Sequence, residues 1–289
     1  MKKKVLILLP DGVGLRNFAF TNFYEKLSEE NEVLFWNNTD FPLKKDLNIN
    51  EVPLKNIRTH FLTDLIKIAK KRIELELSSK KFNNKIYLSY VFNKKTTSIK
   101  SFFKNLIIIF FVFFYKSKKG VKKLNKYTNY LERKTASYKN SIKQLKKINP
   151  DIVFCTNQRT SVAIAPILAA KDLGVKTSTF IFSWDNLPKA TLVIDSDYYF
   201  VWSDFMKQEL IKYYPDIKDN QIKVTGSPQF EMHFDKELEV ERNEFFKKFN
   251  LDIQKEYICF SGDDVTTSPY DEFYLEDLAE AVKSLNSKD

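Results

Sequence analysis

A short, wholly apolar run that stops at a turn and opens a helix, repeated along a chain, admits few folds, and this chain begins that way. Val5 to Leu9 is uninterrupted aliphatic sequence, Pro10 ends it, and Asp11-Gly12-Val13-Gly14 supplies the turn. Phe18, Phe23 and Leu27 then recur at helical spacing. A strand covered by helices on both faces reads as a continuous apolar run, so the pattern predicts a parallel sheet. Residues 33–36 and 49–54 are expected as the second and third strands, and 151–155, 175–182, 198–202 and 221–225 as later ones. Helices are expected over 160–173, stopped by Gly174, and from a Ser203 cap through Tyr214, where Pro215 breaks the pattern. Strict alternation means an α/β, Rossmann-like, doubly wound sheet with right-handed crossovers. Its binding loops should gather at the carboxyl ends of the strands.

The alternation is interrupted from about residue 61 to 148 by a lysine-rich, helix-patterned insertion. Leu124, Tyr127, Leu131, Tyr138, Ile142 and Leu145 predict one long amphipathic helix over 124–148, closed by Asn149-Pro150. The formal net charge is +10, and residues 94–147 alone hold fifteen lysines and one arginine against a single acid, Glu132. The remainder is therefore mildly acidic, and a chain whose basic residues form one block is not expected to bind nucleic acid along its surface. Within the block lies the run Leu106 to Tyr115, too short for the roughly 20 apolar residues of a membrane-spanning helix. Two readings stay open. The run is a buried core helix, or it is an interfacial helix. In the second case Phe102, Phe103, Leu106, Ile107, Ile108, Ile109, Phe110, Phe111, Phe113 and Phe114 enter an anionic membrane surface. Lys94, Lys95, Lys100, Lys104, Lys116, Lys118, Lys119, Lys122 and Lys123 then meet the headgroups.

Composition and missing motifs exclude several classes. Apolar residues make up 43% of the chain, enough to rule out disorder throughout. Cys155 and Cys259 sit in apolar runs far apart and read as buried strand thiols of a reducing compartment. No metal site is expected, and His60 and His233 lack a ligand-spaced partner. There is no Ser/His/Asp order and no phosphate-binding P-loop. With no cleavable leader pattern, the expected location is cytoplasmic.

Polar strings end the expected strands. Asp11, Gly12, Gly14, Arg16 and Asn17 follow the first; a dinucleotide fingerprint fails because Asn17 stands where its third glycine belongs. Asp11 there is a turn former or a general base. Asn157, Gln158 and Arg159 precede a helix whose amides could hold an anion, or Thr160 merely caps it. Ser183, Trp184, Asp185 and Asn186 offer polar groups beside an indole face suited to a sugar ring, or form an Asx-turn over a packed tryptophan. The domain reading is a first domain over 1–230 and a charged, helical link over 231–255. A strand at 256–260 and a helix at 273–285 then begin a truncated second domain over 256–289.

The succession D-G-V-G-L-R-N, N-P-D-I-V-F-C-T-N-Q-R, F-S-W-D-N-L-P-K, D-Y-Y-F-V-W-S-D-F-M-K-Q-E-L and I-K-V-T-G-S-P-Q-F resembles a known group. It looks like the N-terminal half of GT-B glycosyltransferases of surface-polysaccharide and lipopolysaccharide synthesis, related to the CDP-glycerol glycerophosphotransferase-like group. The resemblance covers about residues 1–285, and S-W-D-N-L with V-T-G-S-P-Q-F are its most specific strings. It implies two Rossmann-like domains facing across a cleft and a metal-independent transfer without cofactor. The donor would be a nucleotide-sugar and the acceptor a glycan or lipid-linked molecule at the inner membrane face. Gly12, Gly14, Arg16, Asn17, Asn157, Gln158, Arg159, Ser183, Trp184, Asp185 and Asn186 would line the acceptor side. Gly226, Ser227, Pro228 and Gln229, with Ser261, Gly262, Asp263 and Asp264, would face the donor. An alternative is a non-catalytic, membrane-docking subunit that recruits a separate donor-domain polypeptide.

Overall fold

The computed structural model describes residues 2–55, 57–91, 98–263 and 268–286. Lys94, Lys95 and Asp264 lie outside the described residues. The chain divides into two units, Met1–Phe234 and Asp235–Asp289.

The first unit is built on one seven-stranded, all-parallel sheet. β1 (Lys3–Leu9) leads through α1 (Val13–Phe18) and α2 (Phe23–Glu30) to β2 (Asn31–Asn37), and α3 (Leu43–Leu47) leads to β3 (Glu51–Pro53). β4 (Ile152–Cys155), α9 (Ile164–Asp172), β5 (Lys176–Phe180), β6 (Tyr198–Val201), α10 (Asp204–Tyr213) and β7 (Ile222–Val224) follow the insertion. The strand order is β3-β2-β1-β4-β5-β6-β7. The chain thus winds outward from β1 in one direction, returns, and winds outward in the other. Side chains alternate across the pleat. Leu6, Leu8, Trp36, Val153 and Cys155 meet α9 on one face. Val5, Ile7, Leu9, Phe35 and Phe154 meet Phe18 and Leu43 on the other. Continuous apolar runs are what such two-sided burial demands, and burial pushes the Cys155 thiol up to about 12.

Between β3 and β4 lie α4 (Thr63–Lys81), α5 (Ile86–Ser89), α6 (Ile99–Tyr115), α7 (Lys118–Glu132) and α8 (Ala136–Ile148). The single helix expected over 124–148 is two. Thr135 caps α8 by accepting from the Tyr138 N–H, so the chain turns after Glu132. The two pieces then pack differently, α7 on α4 and α8 on α9. α4, α6 and α7 share a small core of Ile66, Ala69, Ile73, Phe111, Val112, Val121 and Leu124.

α6 resolves the choice between core and surface. Only Phe111 and Val112 are buried, with Ile107, Ile108 and Tyr115 half-buried beside them. Phe102, Phe103, Leu106, Ile109, Phe110, Phe113 and Phe114 are exposed, Phe113 to 76%. Spacings of three and four put these seven on one outward stripe. Among the described residues no helix is long and apolar enough to cross a membrane.

The second unit holds α11 (Arg242–Lys248) and α12 (Asp271–Asn286). The expected helical link is shorter than predicted, because 3-10 turns occupy Pro228–Phe234 and Lys236–Leu238 before α11 begins. Residues 256–260 join no ladder, since a strand needs a neighbour for its N–H and C=O groups and no described segment supplies one. Cys259 is accordingly exposed, not buried as expected.

Candidate functional site

In a parallel sheet every strand presents its carboxyl end at the same edge. Where the winding direction reverses, the loops of two neighbouring strands diverge and leave a crevice. Here the reversal falls between β1 and β4, which pair from Val5↔Ile152 to Leu8↔Cys155. Asp11 and Asn157 follow those two strands and meet over the crevice, Asn157 Nδ2 donating to Asp11 Oδ2 at 2.7 Å. Asp11 Oδ1 accepts from the Val13 N–H at 3.1 Å, so the carboxylate both forms the turn and is oriented by Asn157. Asn157 Oδ1 in turn accepts from the Arg159 N–H at 3.0 Å.

Of the glycines expected to admit a ligand, Gly14 serves packing instead. A Cβ there would lie 2.3 Å from Thr156 Oγ1 and 2.6 Å from Leu9 Cδ2, so α1 crosses the end of β4 too closely for any side chain. A Cβ on Gly12 would meet open space. Asn17 is fully buried, its Nδ2 without a partner and its Oδ1 accepting from Arg16 Nε at 3.3 Å.

Gln158 is a brace. It is fully buried; its Oε1 accepts from the Phe182 N–H at 3.3 Å, its Nε2 donates to Thr191 Oγ1 at 3.5 Å, and its carbonyl accepts from the Val193 and Ile194 N–H groups. One side chain thereby ties the loop after β4 to the two ends of the loop that follows β5. Gln158→Ala is expected to destabilise the first unit by about 2 kcal/mol, through the lost packing and the unpaired groups left behind. Urea unfolding of both proteins checks this.

The loop after β5 holds a turn and an exposed ring. Ser183 Oγ donates to Asp185 Oδ1 at 2.6 Å, Lys189 Nζ donates to Asp185 Oδ2, and Asn186 Nδ2 donates to the Ser183 carbonyl at 3.2 Å. Burial pushes the Asp185 carboxyl up, yet the Lys189 and Ser183 hydrogen bonds outweigh it and hold the group below the usual carboxylate range. Trp184 does not pack beneath the turn; 67% of it is exposed.

After β7 the chain turns at Gly226, whose φ of +74 lies in the left-handed region that favours glycine. The segment from Pro228 is then pinned to the first turn of the fold. Arg16 Nη2 donates to Gln229 Oε1 at 2.6 Å, and Asn22 donates to Glu231 through its backbone N–H and its Nδ2, each at 3.0 Å. Ser227 Oγ is buried without a partner, while Pro228 is half-buried. The structure thus joins Asp11, Asn157 and Arg159 in one set, Arg16, Asn17 and Gln229 in a second, and Ser183 and Asp185 in a third, all at the carboxyl edge. Ser261, Gly262 and Asp263 belong to the second unit.

Three lysines that the sequence did not single out complete the edge. α4 lies against it: Lys67 Nζ donates to the Arg159 carbonyl at 2.7 Å, and Ser161 Oγ donates to Asp64 Oδ1 at 2.7 Å. Burial lowers the Lys67 pKa and Asp64 opposes this, while Arg159 and Lys71 lower it further. Burial lowers Lys71 as well, followed by Lys189 and Arg159. Lys67 and Lys71 thus both sense Arg159, and Lys71 also senses Lys189, which is itself paired with Asp185; Asp64 and Asp11 partly balance the charge at Lys67. The available signal was the helical spacing of Lys67, Lys70, Lys71 and Glu74, but spacing does not say what a helix face looks at. Among the described residues no group of three or more His, Cys, Asp or Glu side chains is placed to hold a metal ion.

No family model matches the chain, and no curated protein matches it. Among solved structures it is similar to the UDP-GlcNAc 2-epimerase from Methanocaldococcus jannaschii, at 15% identity and a TM-score of 0.39, over 87% of this chain and 54% of that one. It is similar to the UDP-GlcNAc 2-epimerase from Neisseria meningitidis bound to UDP-GlcNAc, at 12% identity and a TM-score of 0.39, over 86% and 53%. It is also similar to the apo form of the lipopolysaccharide outer core galactosyltransferase WaaB, at 15% identity and a TM-score of 0.36, over 76% and 44%. The chain spans about half the length of these structures.

Proposed function

We propose that this chain forms the acceptor-side part of a GT-B glycosyltransferase. It would act on a nucleotide-activated donor and transfer a sugar or polyol phosphate to a cell-surface glycan or lipid-linked acceptor. The observation that carries the reading is the geometry of the carboxyl edge, where Asp11 and Asn157 meet at the switch point between β1 and β4 and Lys67 of α4 is bonded to the Arg159 carbonyl of the same loop. A leaving diphosphate develops charge as the bond to the sugar breaks, and fixed cations in a partly desolvated crevice stabilise that charge with little reorganisation. For a sugar, the acceptor hydroxyl oxygen bonds to the anomeric carbon, the carbon–oxygen bond to the diphosphate breaks, and the diphosphate leaves with the electron pair. For a polyol phosphate, the hydroxyl oxygen bonds to the phosphorus that carries the polyol, the bridging P–O bond breaks, and the nucleoside monophosphate leaves with the electron pair. Asp11, oriented by Asn157, receives the hydroxyl proton. Trp184 offers an apolar face to an acceptor ring. Donor contacts are assigned to Ser261, Gly262 and Asp263, or, in the alternative reading, to a separate polypeptide. The place within GT-B, beside the CDP-glycerol-like group, rests on the motif strings quoted above.

The outward stripe of α6 and the lysines around it are assigned to an anionic bilayer, which would set the edge at the inner membrane face. From Ser98 to Leu131 the sequence has lysines and no acid, so its charge complements acidic headgroups.

The test is transfer from a panel of nucleotide-activated sugars and polyols to lipid-linked glycans in anionic vesicles, read by mass spectrometry. Arg159→Ala and Trp184→Ala are each expected to lower kcat/KM about tenfold, equivalent to about 1.4 kcal/mol. Failure of every donor to bind or react would end the reading.

A further inference from the structure

A trough that no sequence motif announced runs along α4. It measures about 490 Å³, within the range of small-molecule sites, and lies between α4, α7, the loop of residues 187–195 and the end of α10. α4 lines it from Thr63 to Lys81, so it extends roughly 27 Å at 1.5 Å per residue. Lys67 and Lys71 stand along its first half, Lys67 being bonded to the Arg159 carbonyl of the sheet edge, and the far end is lined by Lys81 together with Lys118 and Lys119 at the start of α7, just after α6.

Its lining is of two kinds. Leu77, Phe82, Pro188, Val193, Tyr213 and Ile217, all half-buried, give it an apolar floor, whereas eight lysines and three acids supply its charge. Two of those acids are already engaged, Asp195 with Lys171 at 3.0 Å and Asp216 with Lys122 at 2.8 Å. The third, Glu74, is 16% exposed; burial lifts its carboxyl to about 7 against the pull of Lys70, and its Oε2 has no partner. Positive charge is therefore in excess over an apolar floor. Water satisfies the first and not the second, and a polar polyanion would satisfy the charge while leaving the floor uncovered.

The geometry points to a binding trough for an anionic amphiphile, a phosphate bearing one long apolar chain, with the phosphate at Lys67 and Lys71 and the chain running along α4 toward Leu77 and Phe82. The lysine stems extend the apolar surface while their ammonium groups meet the phosphate. The ligand would be held whether or not the sheet edge transfers a sugar.

Calorimetric titration of the full chain with dodecyl phosphate below its micelle concentration tests this, with dodecyl maltoside and inorganic phosphate as the other arms. Dodecyl phosphate is expected to bind at least about tenfold more tightly than the neutral amphiphile and about a hundredfold more tightly than phosphate, differences of about 1.4 and 2.7 kcal/mol. Lys67→Ala with Lys71→Ala should weaken it about tenfold or more. Asn125→Trp, at an exposed position on the α7 wall, should block it while both lysines remain. Charge substitutions on the outward stripe of α6 should leave it unchanged. Equal affinity for both amphiphiles, full affinity in the folded double-lysine and Asn125→Trp variants, or loss of binding through the α6 stripe would each overturn the proposal. Loss of sugar transfer with amphiphile binding intact would count only against the transfer reading.

Discussion

Aspartate at Phe103, Phe110 and Phe114 together is expected to lower partitioning onto anionic vesicles by about a hundredfold or more. Each of these rings is exposed on the outward stripe of α6, and only Phe110 meets a core ring, edge-on to Phe111 with centroids 5.8 Å apart. A fully buried phenyl side chain contributes roughly 1.5–3 kcal/mol, so even half-depth insertion of three gives several kcal/mol, about 1.4 of which is a factor of ten. The introduced carboxylates are also repelled by acidic headgroups. Phe111 and Val112, which hold α6 to α4 and α7, are untouched, so circular dichroism and the unfolding midpoint should stay as they were. Gln at Lys118 and Lys119 should weaken binding less, by about 1 kcal/mol per lysine, and the loss should vanish at high salt. Co-sedimentation at two salt concentrations separates the two contributions. Undiminished vesicle binding by the triple aspartate variant would show that the stripe does not meet the bilayer.

Glu132→Ala should destabilise the first unit by about 3 kcal/mol, because this one acid of the basic block is an anchor. Fully buried at the end of α7, it accepts from the His60 N–H at 2.9 Å and from the Thr63 hydroxyl, and so fastens the start of the insertion. Removing it leaves two donors unpaired in a dry place, and each costs about 1–3 kcal/mol. Burial raises its pKa above the ordinary 4.5, even though the Thr63 and His60 bonds oppose that shift. The folded state therefore holds the proton more tightly than the unfolded chain does. Its contribution is fully present below about pH 4.5 and is lost as pH rises through the higher folded value. Glu132→Gln keeps an acceptor without a charge to bury, and its stability relative to the parent protein should improve from pH 5 to pH 8. Urea midpoints of the three proteins at both pH values decide the matter; a parent protein that gains on the Gln variant as pH rises would contradict the sign.

Much of the sheet was legible because its strands are buried on both faces, and two-sided burial leaves a signal that does not depend on distant residues. Val5 to Leu9 and Ile152 to Cys155 could hardly be anything else. The strand at 256–260 was misread for the complementary reason. An apolar run has the composition of a strand, but a strand exists only where a neighbour accepts its hydrogen bonds. The break at Thr135 was missed because an apolar period carries across a short turn without losing phase, while the cap that makes the turn is a single hydroxyl.

The candidate site divides in the same way. That polar strings end the strands was plain from their order, and all-parallel topology then obliges Asp11, Asn157, Asp185 and Gln229 to share an edge. Which of them face outward was not plain. Asn17, Asn157, Gln158 and Asn186 were expected beside a ligand and are buried, whereas Arg16 and Trp184 are exposed.

By itself the sequence determined which segments must be buried and where each apolar run must stop, since those follow from the side chains within a few residues of one another. Only the tertiary structure decided that α4 lies along the carboxyl edge, that Lys67, Lys71 and Lys189 join Arg159 there, and that α6 turns its phenylalanines outward. Such placements depend on contacts between residues as much as a hundred positions apart, and chain spacing carries no record of which faces will meet.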